Sequence, residues 1–356
     1  MVKKILIIGS QGYLGSRLVD YLIDRNYNCT SIDTGFFKNG ILYRSNNLNA
    51  IQKDARDVTH NDIRDFSHVV LLAGISNDPF GNMDASDIYN PSRDYSIKIA
   101  SICKDLGVNF IFPSSCSVYG AASGEILDEL GETRPQTEYS KNKLQIEEGL
   151  DKLADNNFGP IALRFATIYG MSPRIRFDVV INMLCGLAIT SNKIKLNSDG
   201  QAWRPNLHID DACEAILCSI EYNPKRRGLL ILNIGQDIDN YKIIDLAKLI
   251  QSNVPNTSIE YLNQSTKNDK DSLILDKKIQ DGVDTRTYKV SFEKVSNVLP
   301  KFKCKWNVVT GIKNFIDELY KVNLTSENFN LRDFYRLQQI EYLHSKKMID
   351  DNLRWL

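Results

Sequence analysis

A four-residue apolar run, Ile5-Leu6-Ile7-Ile8, stops at Gly9 and gives way to Gly9-Ser10-Gln11-Gly12-Tyr13-Leu14-Gly15. No other stretch constrains the chain as much. The run is far too short for a signal core or a membrane span, so it reads as a buried strand. Glycines at three-residue spacing then lead into a segment of helical period over Tyr13–Arg25. Strand, glycine turn and helix in that order aim backbone N–H groups and a helix N-terminus at a pyrophosphate-like anion. The spacing is G-x-x-G-x-x-G rather than G-x-G-x-x-G, and alone it also admits a plain tight turn.

The alternation continues downstream. Cys29–Asp33, Val69–Ala73, Phe110–Pro113 and Ile161–Phe165 read as strands, with helical segments near Ser92–Leu106 and after Thr137. Short apolar strands alternating with helices predict an α/β fold, a parallel sheet covered on both faces. Past Gly170 the pattern loosens. Arg174–Leu187, Asp210–Glu221 and Tyr241–Val254 read as helices, Leu229–Ile234 as a strand, and the polar stretch Asn263–Asp276 as a loop. The division expected is a domain over 1–170 (later segments crossing back to it), a smaller domain over 171–323, and a helical appendage over 324–356. In the appendage Phe334, Leu337, Ile340 and Leu343 recur at three-residue spacing, which predicts a helix over Leu331–Ser345 with one apolar stripe. That stripe must dock, with Trp355 as a terminal anchor. The expected places are the smaller domain or a subunit interface, because a chain ending near Val322 would already hold every other motif.

Charge narrows the partners. Lys+Arg and Asp+Glu number 44 each, so no broad basic surface attracts nucleic acid or anionic membranes. Seven cysteines without a CxxC pair and four dispersed histidines argue against a disulfide framework or a metal centre, and fit a reducing cytoplasm.

Asp33 ends the second strand, where a carboxylate would accept hydrogen bonds from adenosine ribose hydroxyls and repel a 2′-phosphate; this favours NAD over NADP. Asp54-Ala55 falls where an adenine contact is expected, and Leu72-Ala73-Gly74 leaves room for a cofactor at a strand end. Tyr139 and Lys143 are four residues apart, hence on one face of a helix. A free tyrosine is only roughly 0.1% ionised at pH 7. An adjacent ammonium favours the phenolate, a proton acceptor beside a site of hydride transfer. Ser115, just after the Phe110–Pro113 strand, can hydrogen-bond the reacting oxygen.

The set Gly9-x-x-Gly12-x-x-Gly15, Leu72-Ala73-Gly74, Ser114-Ser115-Cys116-Ser117-Val118-Tyr119-Gly120, Tyr139-x-x-x-Lys143, Leu163-Arg164-x-x-Thr167-Ile168-Tyr169-Gly170 and Arg204-x-x-x-His208-Ile209-x-Asp211 resembles the extended short-chain dehydrogenase/reductase family. Within it, the chain is most similar to the NAD-dependent nucleotide-sugar epimerases and dehydratases. The match runs in order from residue 1 to about 320. The resemblance implies a Rossmann-like doubly wound parallel sheet binding NAD, a smaller C-terminal α/β domain binding a nucleotide-diphosphate sugar, and a homodimer. It makes Ser115, Tyr139 and Lys143 the catalytic triad, with Lys143 also holding the nicotinamide ribose. Gly9, Gln11, Gly12, Tyr13, Leu14 and Gly15 would hold the cofactor with Asp33, Asp54, Ala55, Leu72, Ala73 and Gly74. Arg204 and Arg286 would clamp the diphosphate, a task suited to a planar guanidinium.

Departures from the family pattern shape the expected reaction. Thr167 stands where an Asn is usual, and Asp94-Tyr95-Ser96 replaces an Asn-x-x-Gly-Thr pattern. Cys116-Ser117 replaces the Asp-Glu pair of the 4,6-dehydratases, which argues against dehydration. Ser117 also stands where 3,5-epimerases place a cysteine. Hydride transfer at C4 remains, as an epimerase or dehydrogenase; the alternatives are an NAD(P)H-dependent 4-ketoreductase of a nucleotide deoxysugar or heptose, and a non-catalytic NAD-binding regulator. Ser172-Pro173-Arg174-x-Arg176-x-Asp178-Val179-Val180-x-Asn182 resembles a sub-branch acting on nucleotide-activated heptoses and deoxysugars. It offers Arg174, Arg176 and Asn182 as substrate contacts, with packing of the arginines at a domain junction equally open.

Overall fold

Seven parallel strands form the central sheet in a computed structural model that describes residues 3–76, 85–223, 228–261 and 286–356. Side by side run Leu230–Ile234, Ile161–Phe165, Asn109–Ser115, His68–Leu71, Lys4–Ile8, Asn28–Asp33 and Ile51–Gln52. The chain starts at Lys4–Ile8, works outward to Ile51–Gln52, then returns to lay His68–Leu71 against the other side of its first strand. Such a reversal opens a crevice at the carboxyl ends of the two strands.

Burial on both faces explains the continuous apolar runs: Ile5, Leu6, Ile7, Val69, Val70 and Leu71 are all fully enclosed. Helices Tyr13–Ile23 and Ile209–Glu221 pack together on one face, and Ala85–Leu106 and Glu138–Leu153 on the other. The fold is thus the doubly wound sheet the pattern implies. Leu230–Ile234 pairs with Ile161–Phe165, so the chain does cross back to the sheet after its second half has begun.

That second half is built on a three-stranded sheet of Thr167–Tyr169, Trp203–His208 and Asn240–Lys242. Helices Val180–Ser191, Ile243–Asn253 and Val308–Lys321 surround a core containing Phe177, Ile181, Ile312 and Phe315. The helix expected over Arg174–Leu187 begins only at Val180. Local side-chain bonds outcompete the earlier turn: Arg176 Nε bonds Asp178 Oδ1 at 2.7 Å, and Asn182 Nδ2 takes the Arg176 carbonyl at 2.9 Å. The Asn263–Asp276 stretch lies outside the described residues.

The appendage differs from the single helix expected over Leu331–Ser345. A short helix Ser326–Phe329 and a 3₁₀ turn Arg332–Phe334 precede the helix Arg336–Ser345. Its stripe serves two cores. Phe329 and Phe334 pack on Phe177, with ring centroids 4.8 and 5.7 Å away. Ile340 and Leu343 join Phe36, Ile88 and Tyr89 in a separate cluster beside the central sheet. Trp355 anchors the end as expected, its Nε1 donating to the Thr34 carbonyl at 2.7 Å. The docking place expected was the smaller domain or a subunit interface; the appendage starts on the Phe177 core of the second half and finishes beside the central sheet. Among the described residues no helix is long and apolar enough to cross a membrane, and no cluster of three or more potential metal ligands occurs.

Candidate active site

The crevice holds two connected lobes. The smaller, about 130 Å³, is lined by the glycine turn, Asp33, Asp54, Ala55, Leu72, Ala73 and Gly74. Gly9 has φ +94°, and a Cβ there would lie 2.2 Å from the Ala73 nitrogen. A Cβ on Gly15 would meet the Gly9 carbonyl at 2.3 Å, so helix and turn close up only with glycine at both places. Asp33 sits beside this turn. Its two oxygens accept from the Gln11 N–H at 2.9 Å and the Gly35 N–H at 2.8 Å. Burial pushes its carboxyl up, against the pull of those two N–H groups and of Arg174 and Arg336. Gln11 enters through that backbone N–H, while its side chain turns away to the Leu48 carbonyl at 2.9 Å.

The larger lobe, about 390 Å³, is lined by Ser115, Tyr139 and Lys143 together with Gly12, Tyr13, Leu14 and Gly15. Ser115 closes its strand and caps the 3₁₀ turn Cys116–Tyr119, accepting from the Ser117 N–H at 3.1 Å. Tyr139 and Lys143 occupy the first turns of the Glu138–Leu153 helix, which starts at a Thr137 capping box. The Lys143 ammonium donates to the Pro113 carbonyl at 2.7 Å and lies 5.6 Å from the Tyr139 ring centroid. Burial pushes its pKa down to about 7, with Glu147 opposing. One turn on, Glu147 is paired with Arg164 at 2.7 Å and accepts the Ser114 hydroxyl, which fixes the strand end that carries Ser115. Cys116 is fully buried, its thiol directed to the Arg164 carbonyl and pushed up by burial. It does not line the cavity, unlike Ser115 and Ser117 on either side of it.

Thr167, Arg204 and Arg286 line the same lobe. Arg204 Nη1 bonds the Arg286 carbonyl and the Trp203 carbonyl, and its guanidinium stands 5.4 Å from the Tyr288 ring centroid. Two of the expected substrate contacts lie elsewhere. Arg174 holds the Phe37 carbonyl at 2.9 Å and that of Lys38, behind the cavity wall. Asn182 is fully buried, taking the Gly170 N–H at 3.0 Å and donating to Tyr13 Oη at 3.2 Å. Both pack at the junction of the two halves, for Arg174 the other possibility its motif left open. Conversely, Phe37, Tyr288 and Arg336 line the lobe and carried no sequence signal; of the two arginines in the Arg174-x-Arg176 motif, Arg176 is the one that lines it.

These residues fit a dinucleotide: a glycine cradle without Cβ atoms, a ribose-side carboxylate and a buried ammonium beside a tyrosine. Comparison with known proteins agrees. Residues 5–235 match the NAD dependent epimerase/dehydratase family, and the chain belongs to it. Its cofactor is NAD. Over 276 residues it is 23% identical to the bifunctional polymyxin resistance protein ArnA of Wigglesworthia glossinidia brevipalpis, covering 70% of this chain; the match spans only 41% of that protein's length. Human UDP-glucose 4-epimerase is 26% identical over 290 residues, covering 70% of this chain and 82% of that one. Among solved structures, an NAD dependent NDP-hexosamine 5,6-dehydratase involved in tunicamycin biosynthesis superposes with a TM-score of 0.74 at 18% identity, over 90% of this chain and 99% of that one. At that identity the likeness is one of fold.

Proposed function

We propose that the chain is an epimerase acting at C4 of a nucleotide-diphosphate sugar, with Tyr139 as the acid/base. The observation that carries this reading is that Ser115, Tyr139 and Lys143 line one lobe together with Arg204, Arg286 and the glycine turn. The arginine forks would receive the substrate diphosphate, presenting the sugar to the triad. Ser115 would hold the C4 oxygen while Tyr139, as phenolate beside Lys143, takes its proton; positioned proton transfer of this kind contributes about 10²–10⁴-fold. Bound NAD supplies the acceptor, and later the donor, of the C4 hydride. Returning that hydride to the opposite face, with the Tyr139 proton going back to the oxygen, balances the reaction without a second substrate.

A 4-ketoreductase would use the same groups but must exchange its cofactor every turnover. The human relative's name and the residues lining that lobe support the sugar-nucleotide reading. A thermal-shift panel of UDP-, GDP-, CDP- and dTDP-sugars with NAD present tests it: a true substrate at a hundred times its Kd adds about 2.7 kcal/mol of stability. The stabilising sugar should then be converted to its C4 epimer without added NADH. Conversion only with stoichiometric NAD(P)H consumption would favour the ketoreductase, and no response to any sugar nucleotide would remove the proposal.

A further inference from the structure

The C-terminal appendage reaches the cofactor crevice at two places. Arg336 lines the larger lobe, while Asn352 and Leu353 line the smaller. Phe37 borders both lobes, as do Gly9 and Gly12, so these residues mark the waist where the lobes join. The Arg336 guanidinium stands 4.3 Å from the Phe37 ring centroid. It is therefore at the waist, the place where a dinucleotide bound against the glycine turn carries its pyrophosphate.

Its own environment does not satisfy it. Arg336 is 5% exposed; Nη2 donates to the Arg174 carbonyl at 3.0 Å, and Nη1 has no hydrogen-bond partner. Arg174 and Arg176 are its charged neighbours, with Asp33 and Asp178 on the opposing side. Only Arg176 makes an ion pair, with Asp178 at 2.7 Å; among the described residues neither Arg174 nor Arg336 has a carboxylate in ion-pair range. Burial and the Arg176 charge push Arg336 down to about 9. A buried cation left short of partners is costly in a protein that binds nothing there. A diphosphate supplies what this fork lacks.

The tail beyond Arg336 is fastened to the loops that frame the adenosine end. Gln339 Nε2 holds the Phe36 carbonyl at 3.0 Å, and Trp355 holds Thr34, both just after Asp33. Arg56 donates to the carbonyls of Asn352 at 2.6 Å and Leu353 at 2.9 Å. Leu353 has φ +53°, a left-handed conformation that leucine rarely adopts. Strain of this kind persists where its surroundings impose it, and here it places Leu353 against the adenosine lobe.

We propose that the appendage is a working part of the cofactor site: Arg336 receives the NAD pyrophosphate opposite the glycine turn, and Asn352–Leu353 cover the adenosine end, so NAD stays bound between turnovers. This rests on the cofactor and not on the sugar reading. It also gives the epimerase a reason to prefer returning its hydride over exchanging its cofactor.

Binding measurements on the full-length protein test it without any sugar substrate. Arg336→Met should weaken both NADH and ADP by about 10–100-fold, the worth of a charge-assisted contact, while adenosine binds as before. The melting temperature of the NAD-free variant should hold or rise, because an unsatisfied cation has gone. Arg336→Lys should recover part of the ADP affinity and serves if the methionine variant folds poorly. Trp355→Ala, which releases the tail, should speed NADH dissociation about tenfold. Unchanged ADP and NADH affinity in Arg336→Met would overturn the pyrophosphate role, as would a loss confined to UDP, which would move Arg336 to the substrate diphosphate. An unchanged NADH off-rate in Trp355→Ala would overturn the covering role.

Discussion

The glycine turn and the C-terminal appendage approach the same crevice by opposite means. At the turn, backbone does the work: Gly9 and Gly15 remove the Cβ atoms that would collide with Ala73 and Gly9 itself, leaving N–H groups to face an anion. In the appendage, a single long side chain reaches in from a helix over three hundred residues later, supported by hydrogen bonds to loops that belong to other elements. The first device is written in local spacing and survives wherever a strand meets a helix. The second exists only after the whole chain has folded. Reactive side chains carried on such local elements should therefore serve chemistry with little effect on folding, and positions of the second kind should couple ligand binding to stability.

The largest effect expected is on the first side of this comparison. Tyr139→Phe should lower turnover by about 10²–10⁴-fold while leaving NADH affinity and melting temperature near wild type. Near-normal turnover would remove Tyr139 from the chemistry; a large loss of stability would show that the local site is not independent of the fold.

Phe329→Ala probes the other side. Phe329 is 1% exposed, its ring 4.8 Å from that of Phe177, and a Cβ on Gly186 would sit 2.1 Å from it. Truncating a buried phenylalanine costs about 3–5 kcal/mol. If the appendage is part of one cooperative body, the whole melting transition moves down together. Proteolytic loss of the segment after 325 with the main transition unmoved would instead make it a separable tail.

Asp33→Ser should shift the NADP-to-NAD affinity ratio toward NADP by about 10–100-fold, one or two charge-assisted contacts' worth. The Gln11 and Gly35 N–H groups, now holding the carboxylate, become available to a 2′-phosphate. A wild-type protein that already prefers NADP would refute the role given to Asp33.

The same contrast governs what the sequence could disclose. Short continuous apolar runs and period-3.6 segments placed the strands Lys4–Ile8, Asn109–Ser115 and Ile161–Phe165 and their helices closely, because burial on a two-sided sheet leaves a plain apolar signature. The pairing of Tyr139 with Lys143 was legible because helix geometry alone puts them on one face. The loop at 174–179 was not, since Arg174 bonded to the distant Phe37 carbonyl and Arg176 bonded to Asp178 override helical propensity. Nor was the break at Tyr335: a three-residue stripe does not say that Phe334 belongs to one core and Ile340 to another. Arg336 read as one more polar residue beside that stripe, and nothing local separates a solvated arginine from one at a cofactor's waist.

The smallest effect distinguishes the two sides most finely, because it concerns a local residue with a stability cost. Burial pushes the Lys143 ammonium down to about 7, whereas in the unfolded chain it titrates near 10.5. Between those values the unfolded state binds more protons, so stability rises with pH across that window. At and below pH 7 the folded protein bears the full cost of a buried charge; near 10.5 both states are neutral and the cost is gone. Lys143→Met should therefore melt higher than wild type at pH 7, by about 2–4 °C for each kcal/mol relieved, with the gap closing as pH rises. NAD-free protein between pH 7 and 9 is the proper window, because it lies inside the range in which the two states differ in Lys143 protonation. The variant should be inactive and bind NADH more weakly. A constant gap across that range would mean that Lys143 is not held at a cost, and its value to catalysis would have to come from its place beside Tyr139 alone.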